Sequence, residues 1–350
     1  MISLNTIPNF LITFFIISIY SFINFDYKSK NVLYIIFGII LILIAGFRTG
    51  VRDYINYVIF YNMLSDPFIG YFVEPSFRII ATIVKSTIDN VVLLFVIYAI
   101  IGVFLKLKAI KELSLLWGFS LLIYLGNLFI RHEMTQIRAG VATGFFLLCI
   151  KPLYEKDIKR FLLFTALATF FHTSSLIILP LWIFNEKKIN KLFYSLSIPV
   201  AYFLNIFTLG YISKILSLIP LEPIRKIAFY LKGSEGNIFN IFFLVKCGIF
   251  YYLLWNCNLL SKNNKYSILL IKIFWLSLVS FAIFIRNDTI SRRITDFYGV
   301  VEIILFPMII YTMRYQIIAK LIVVLVALAF LWLSIFYLKL ATPMDSTISI

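Results

Sequence analysis

Apolar residues run along this chain in blocks of 16 to 24, separated by short charged segments. The blocks fall at about 8–25, 31–47, 89–105, 113–130, 138–153, 161–184, 192–209, 238–256, 266–285, 296–312 and 320–338. Blocks of this length predict membrane-crossing helices, because a bilayer core of about 30 Å takes roughly 20 apolar residues per helix. Backbone polar groups in lipid must be satisfied internally, which leaves a helical bundle as the architecture. The expectation is an all-α polytopic membrane protein of about 11–12 transmembrane helices in one integral membrane domain, residues 1–350. Two longer segments, about 48–88 and 210–237, are expected as external loops. In the first, Tyr54, Tyr57, Val58 and Tyr61 share one helical face, the pattern of a helix lying in the interface.

The block 161–184 has two readings. As one pass its 24 residues are ample. Broken at His172-Thr173-Ser174-Ser175 it becomes a hairpin with arms of about 17 Å. Such a re-entrant or broken hairpin is tolerated where backbone lines a polar cavity. The hairpin is the expectation, because it keeps the arginines around residues 48–52 and 292–293 on one membrane face.

Composition narrows the class. At 62% hydrophobic, 14% charged and mean hydropathy +0.98, a soluble domain is excluded. The net charge of +16 is spread over many short loops, which argues against a nucleic-acid partner. Cys149, Cys247 and Cys257 lack metal-ligand spacing and read as small hydrophobes. His132 and His172 are the only histidines, so no metal and no cofactor is expected. Residues 1–9 lack the basic start of a signal peptide.

Charge then supplies the chemistry. Taking loops alternately, one set holds 14 Lys and 2 Arg (Arg160 and Arg314), including Lys106, Lys108, Lys111 and Lys151. The other holds 5 Lys and 9 Arg, while Lys246 and Lys272 lie inside apolar blocks. Totals of 16 and 14 orient the chain weakly, but the residue type differs sharply. A loop that only sets topology needs positive charge, whereas a guanidinium fork binds phosphate bidentately. One membrane face therefore reads as a phosphate-holding face.

Four clusters carry this reading. Arg48, Arg52 and Asp53, followed by Tyr54, Tyr57 and Tyr61, sit where a helix leaves the membrane; a snorkelling pair with an N-cap aspartate is the plainer alternative. Arg131, Thr135 and Arg138 would share a helical face, with His132 and Gln136 on the next and Glu133 beside them; a solvated turn is the alternative there. His172, amid apolar residues, is either a core histidine or a functional intramembrane group. Arg292 and Arg293 face one neutralising Asp296, in a stretch that begins at Arg286. Glu74, in Val73-Glu74-Pro75, reads as a capping residue before a helix.

In this order the clusters resemble the EpsG/Wzy group of polysaccharide polymerases, over about residues 31–310. The likeness rests on Arg48 through Tyr57, Arg138-Ala139-Gly140-Val141-Ala142, Phe171-His172-Thr173-Ser174, and Arg293 with Phe297 and Tyr298. One departure is Met134-Thr135-Gln136-Ile137-Arg138, where many relatives place Gln after the arginine. The resemblance implies a GT-C-like, metal-independent glycosyltransferase of the bacterial inner membrane with its site facing the periplasm. Its donor and acceptor would be oligosaccharide repeats on undecaprenyl diphosphate, and its partners membrane lipid, a chain-length regulator and a flippase. On that reading Arg48, Arg52, Arg131, Arg138, Arg292 and Arg293 hold diphosphate. His172, Asp53 or Glu133 serves as base, while Tyr54, Tyr57, Tyr61 and Gln136 contact sugar or lipid. A lipid-linked-oligosaccharide flippase and a polytopic acyltransferase are the rival functions.

Overall fold

The computed structural model describes residues 6–23, 27–64, 73–184, 188–217, 237, 240–285 and 287–341. These residues are helical almost throughout, as the apolar blocks require, and the chain is a polytopic membrane protein. Among the described residues, five helices are long and apolar enough to cross a membrane, or six when a bent pair is taken as one span; Ile7–Phe22 and Asn31–Gly46 are shorter apolar helices. Most of the expected loop 210–237 lies outside the described residues, as does Arg286.

Two compact units emerge. The first comprises Met1–Trp182 and Phe306–Ile350, the second Ile183–Leu305. In the first, α1 (Thr6–Phe22), α2 (Tyr27–Gly46), α3 (Tyr54–Asn62), α4 (Pro75–Thr87) and α5 (Val91–Leu113) come in order. Then α6 (Trp117–Ile123) runs into a π-helix, Tyr124–Thr135, followed by α7 (Ile137–Glu155) and α8 (Ile158–Phe171). A 3-10 helix, Thr173–Ile183, follows. The second unit contains α9 (Lys191–Ser217), α10 (Ile241–Trp255), α11 (Cys257–Asn263), α12 (Ser267–Phe284), α13 (Asp288–Gly299) and α14 (Glu302–Leu305). The chain returns to the first unit through a 3-10 helix, Phe306–Thr312, and α15 (Gln316–Trp332).

Segment 161–184 folds back on itself. His172 ends α8 in an extended conformation (φ −154°, ψ 114°). Beyond it the Trp182 ring returns to 5.2 Å from Phe161, whereas a straight helix would set them about 30 Å apart. The broken hairpin expected from sequence is therefore present, with His172 at its tip.

Charge sorting also holds within each unit. In the first, Lys111 bonds Asn31 at the start of α2, and Lys151, Lys156 and Lys159 gather where α7 ends and α8 begins. Arg48, Arg52, Arg138 and His172 lie at the opposite termini of α2, α7 and α8. In the second, Lys191 bonds the Trp255 carbonyl, while Arg292 and Arg293 ride on α13, which joins the far half of α12 through Ser277–Thr295 and Ser291–Phe281 bonds.

Two local expectations need correction. Arg131, Thr135 and Arg138 do not share one helical face, because the π-helix stops at Gln136 (φ −101°, ψ 62°) and α7 starts anew. Lys106 is not in a charged loop. Helix α5 continues to Leu113, and Lys106 is sealed inside the bundle.

Candidate active site

Glu74 organises the arginine end of the first unit. It occupies the N-cap position of α4, yet its side chain makes no capping bond there. Instead Oε1 lies 2.7 Å from His172 Nδ1, and Oε2 accepts from Arg138 Nη1. Three segments remote in sequence are thus tied by one carboxylate: the start of α4, the tip of the hairpin and the first turn of α7. Burial works to raise the Glu74 pKa, but the His172 hydrogen bond and the charges of Arg138 and His172 outweigh it and hold the carboxyl below its ordinary value. Nothing local in the sequence signals this role. Glu before Pro looks like a cap, and its partners are 64 and 98 residues away.

Aromatic rings enclose the arginine. The Arg138 guanidinium lies 5.5 Å from the Tyr57 ring centroid, 5.8 Å from Phe77 and 5.9 Å from Phe60. Tyr57 and Tyr61 are buried and Tyr54 half-buried; the shared face expected to lie in the bilayer interface packs instead on Phe77 and Phe95. Tyr61 donates to Asp89 Oδ1 at 3.0 Å, and Lys85 donates to the Tyr61 and Asn62 carbonyls, which locks α3 against α4. Ser76 and Tyr98 hydroxyls meet at 3.3 Å behind Glu74.

The Arg48–Asp53 segment splits in two. Arg48 is only 1% exposed; its Nη1 donates to the Ala45 carbonyl at 2.6 Å and its guanidinium stacks 4.3 Å from the Phe95 centroid. Burial lowers its pKa to about 10, against the opposing pull of Tyr57, Glu133 and Tyr54. Its Nε and Nη2 make no hydrogen bond among the described residues, so capacity for an anion remains, although the side chain is buried. Arg52 is half-buried. Asp53 holds a left-handed conformation (φ 63°, ψ −4°) and leaves α3 uncapped. Burial raises its pKa against the charges of Arg52 and Arg138. A half-buried acid in a left-handed backbone that does not cap its helix is hard to explain as a local structural device.

Glu133, a candidate base by sequence, is placed differently. Lys106 Nζ donates to Glu133 Oε1 at 2.5 Å and to the Gly140 carbonyl at 2.6 Å. The side chains are 0% and 1% exposed. Gly102 faces this carboxylate and leaves no room for a Cβ. Arg131 is buried, and His132 Nδ1 lies 3.3 Å from the Thr143 hydroxyl. Gln136 is half-buried at the break before α7. Arg292 and Arg293, on α13 of the second unit, are exposed. No group of three or more His, Cys, Asp or Glu that could hold a metal ion gathers among the described residues.

The ordered arginine, histidine and aromatic segments seen here fall inside residues 31–346, which match a family model described as the EpsG family. The chain belongs to the EpsG family. That family comprises polysaccharide polymerases of glycosyltransferase-like type, which makes a multi-pass membrane enzyme of polysaccharide biosynthesis the established frame. No curated protein and no solved structure matches the chain.

Proposed function

We propose that the protein joins oligosaccharide repeat units carried on undecaprenyl diphosphate into O-antigen, capsule or exopolysaccharide. The reaction would take place on the external face of a bacterial inner membrane. The observation that carries this reading is Glu74 holding His172 and Arg138 together at the arginine end. With Nδ1 donating to Glu74, His172 keeps the Nε2 lone pair for a proton. The acceptor hydroxyl gives that proton to Nε2 while its oxygen attacks the donor's anomeric carbon. The bond from that carbon to the diphosphate breaks, and its electron pair leaves with the phosphate oxygen. Glu74 stabilises the imidazolium that forms, and Arg138 keeps Glu74 ionised.

Negative charge developing on the diphosphate needs fixed cations. Arg52 supplies one at the site; on the second unit, Arg292 and Arg293 are proposed as phosphate-binding cations on residue type alone, since a guanidinium suits phosphate. Arg138 is therefore a positioning residue in this scheme rather than part of the diphosphate clamp, and Glu133 is structural. Tyr54 and Gln136, both half-buried, are assigned to sugar and lipid contact. A flippase that delivers the repeats and a chain-length regulator are the partners this chemistry implies. The test is reconstitution of the purified protein in liposomes with a polyprenyl-diphosphate-linked repeat. Longer glycans with one released lipid diphosphate per bond formed are expected; passage of the repeat across the bilayer without chain growth would establish the flippase reading instead.

A further inference from the structure

At the lysine end of the first unit, about 20 Å along α5 from the ring that stacks on Arg48, lies a cavity of 260 Å³. Its walls come from the last turns of α5 and α7 and the first turns of α8. Lys108, Lys151 and Arg160 bring positive charge to it, and Glu112 and Glu155 bring negative charge. Leu148, Pro152, Leu163 and Phe164 complete the lining. Lys108 and Glu112 are one helical turn apart on α5, a spacing at which opposite charges usually pair. Here neither they nor Lys151 make an ion pair or hydrogen bond among the described residues.

Apolar surface leads away from the charges. On α5, Ile100 and Phe104 (59% exposed) stand on the same face as Lys108 at four-residue spacing. On α8, Leu163 is 55% exposed beside the cavity. Because α5 and α7 are long and apolar enough to cross a membrane, a bilayer around them would set Ile100 and Phe104 against acyl chains and the charged cavity at the head-group level. Its volume is below the roughly 300–1,000 Å³ of a site for a whole drug-sized ligand. A head group fits this volume; a lipid-linked oligosaccharide does not.

We propose that this cavity binds a membrane phospholipid whose head group carries both a phosphate and a primary ammonium. Lys108 and Lys151 take the phosphate, with Arg160, which pairs with Asp157 Oδ2 at 3.3 Å, beside them; Glu112 takes the ammonium with Glu155 beside it, and the acyl chains lie along Phe104 and Leu163. Acidic side chains on the wall disfavour a purely anionic lipid, and the primary ammonium donates hydrogen bonds that a quaternary one lacks. The site lies away from the Glu74 cluster and does not depend on the polymerase reading.

The test is lipid exchange on the full-length protein in nanodiscs, read by native mass spectrometry after mild detergent extraction. Phosphatidylethanolamine, phosphatidylglycerol, phosphatidylcholine and soluble phosphoethanolamine are the probes. Phosphatidylethanolamine is expected to be retained about tenfold over the other two lipids, and soluble phosphoethanolamine should not compete at equal concentration. Glu112→Gln with Glu155→Gln should erase the preference over phosphatidylglycerol, while Lys108→Ala with Lys151→Ala should release every phospholipid. Equal retention of phosphatidylglycerol and phosphatidylethanolamine by the unaltered protein would overturn the proposal, and so would retention unchanged in both double variants. Effective competition by soluble phosphoethanolamine would assign the cavity to a free metabolite instead. The unaltered protein decides the first point even if a variant fails to fold.

Discussion

Two glutamates in the first unit each meet a basic side chain, and they do opposite things. Glu133 is sealed with Lys106, both side chains at most 1% exposed, and the lysine also bonds the Gly140 carbonyl. Glu74 lies at the arginine end with a half-buried histidine and arginine, and its own helix receives no cap from it. Removing two charges from solvent costs several kcal/mol per ion, and a pair returns that only with good geometry and complete partners. The Glu133 pair meets those conditions, and its effect is to pin the π-helix to α5 and the first turn of α7. Glu74 instead spends its two oxygens on groups that could do chemistry. Burial with a single cation marks structure, whereas a carboxylate shared between a base and a guanidinium marks a site.

The largest effect should come from breaking the sealed pair. Lys106→Met leaves Glu133 buried without its cation, at a cost of about 3–5 kcal/mol. The expected result is a large fall in thermal midpoint in detergent, largely restored when Glu133→Gln is added. If Lys106→Met is stable but inactive, Glu133 belongs with the chemistry and the contrast fails. Next come Glu74→Gln and Arg138→Lys. Glu74→Gln keeps the shape but loses the charge that fixes the His172 tautomer, so turnover should fall by roughly 10²–10⁴-fold with the fold intact. Arg138→Lys should lose less, because a lysine can still neutralise Glu74 although it cannot reproduce the fork.

Asp53→Asn should have a smaller effect. Asparagine tolerates the left-handed conformation, and the substitution removes a charge that burial disfavours. Thermal stability should stay level or rise while activity drops by about tenfold or less, under about 1.4 kcal/mol. An inactive Asp53→Asn protein would move the base from His172 to Asp53. The smallest effect concerns acid stability. The Glu74 carboxyl is held below its ordinary value of 4.5, so its stabilisation is complete above that pH and is lost as pH falls through the lower folded value. Melting curves between pH 3 and 6 should show this loss in the unaltered protein and a flatter profile in Glu74→Gln. A profile unchanged by Glu74→Gln would contradict the ionised pair.

The sequence made some of this legible. Block lengths give helices, and the polar tip at His172-Thr173-Ser174-Ser175 in a 24-residue apolar run gives the hairpin. The spacing of Tyr54, Tyr57 and Tyr61 gives a shared face on α3, although not that this face packs on Phe77 and Phe95. Other features have no local signal. A π-turn has no hydrophobic period of its own, so the break at Gln136 and the loss of a shared Arg131–Arg138 face could not be read from spacing. Lys106 looks like a loop lysine until Glu133 is brought 27 residues back to meet it. Glu74 has the sequence of a cap, and only tertiary contact shows that it caps nothing.

The central claim is that Glu74 and His172 form the proton-accepting unit of polymer synthesis, and it has one direct test. Purified His172→Ala, checked for an unchanged thermal midpoint and unchanged binding of the lipid-linked repeat, is assayed for glycan chain growth. Loss of roughly 10²–10⁴-fold in the rate of bond formation with binding retained is the predicted result. Chain growth at the unaltered rate would contradict the account and leave His172 as a packed histidine at the tip of a hairpin.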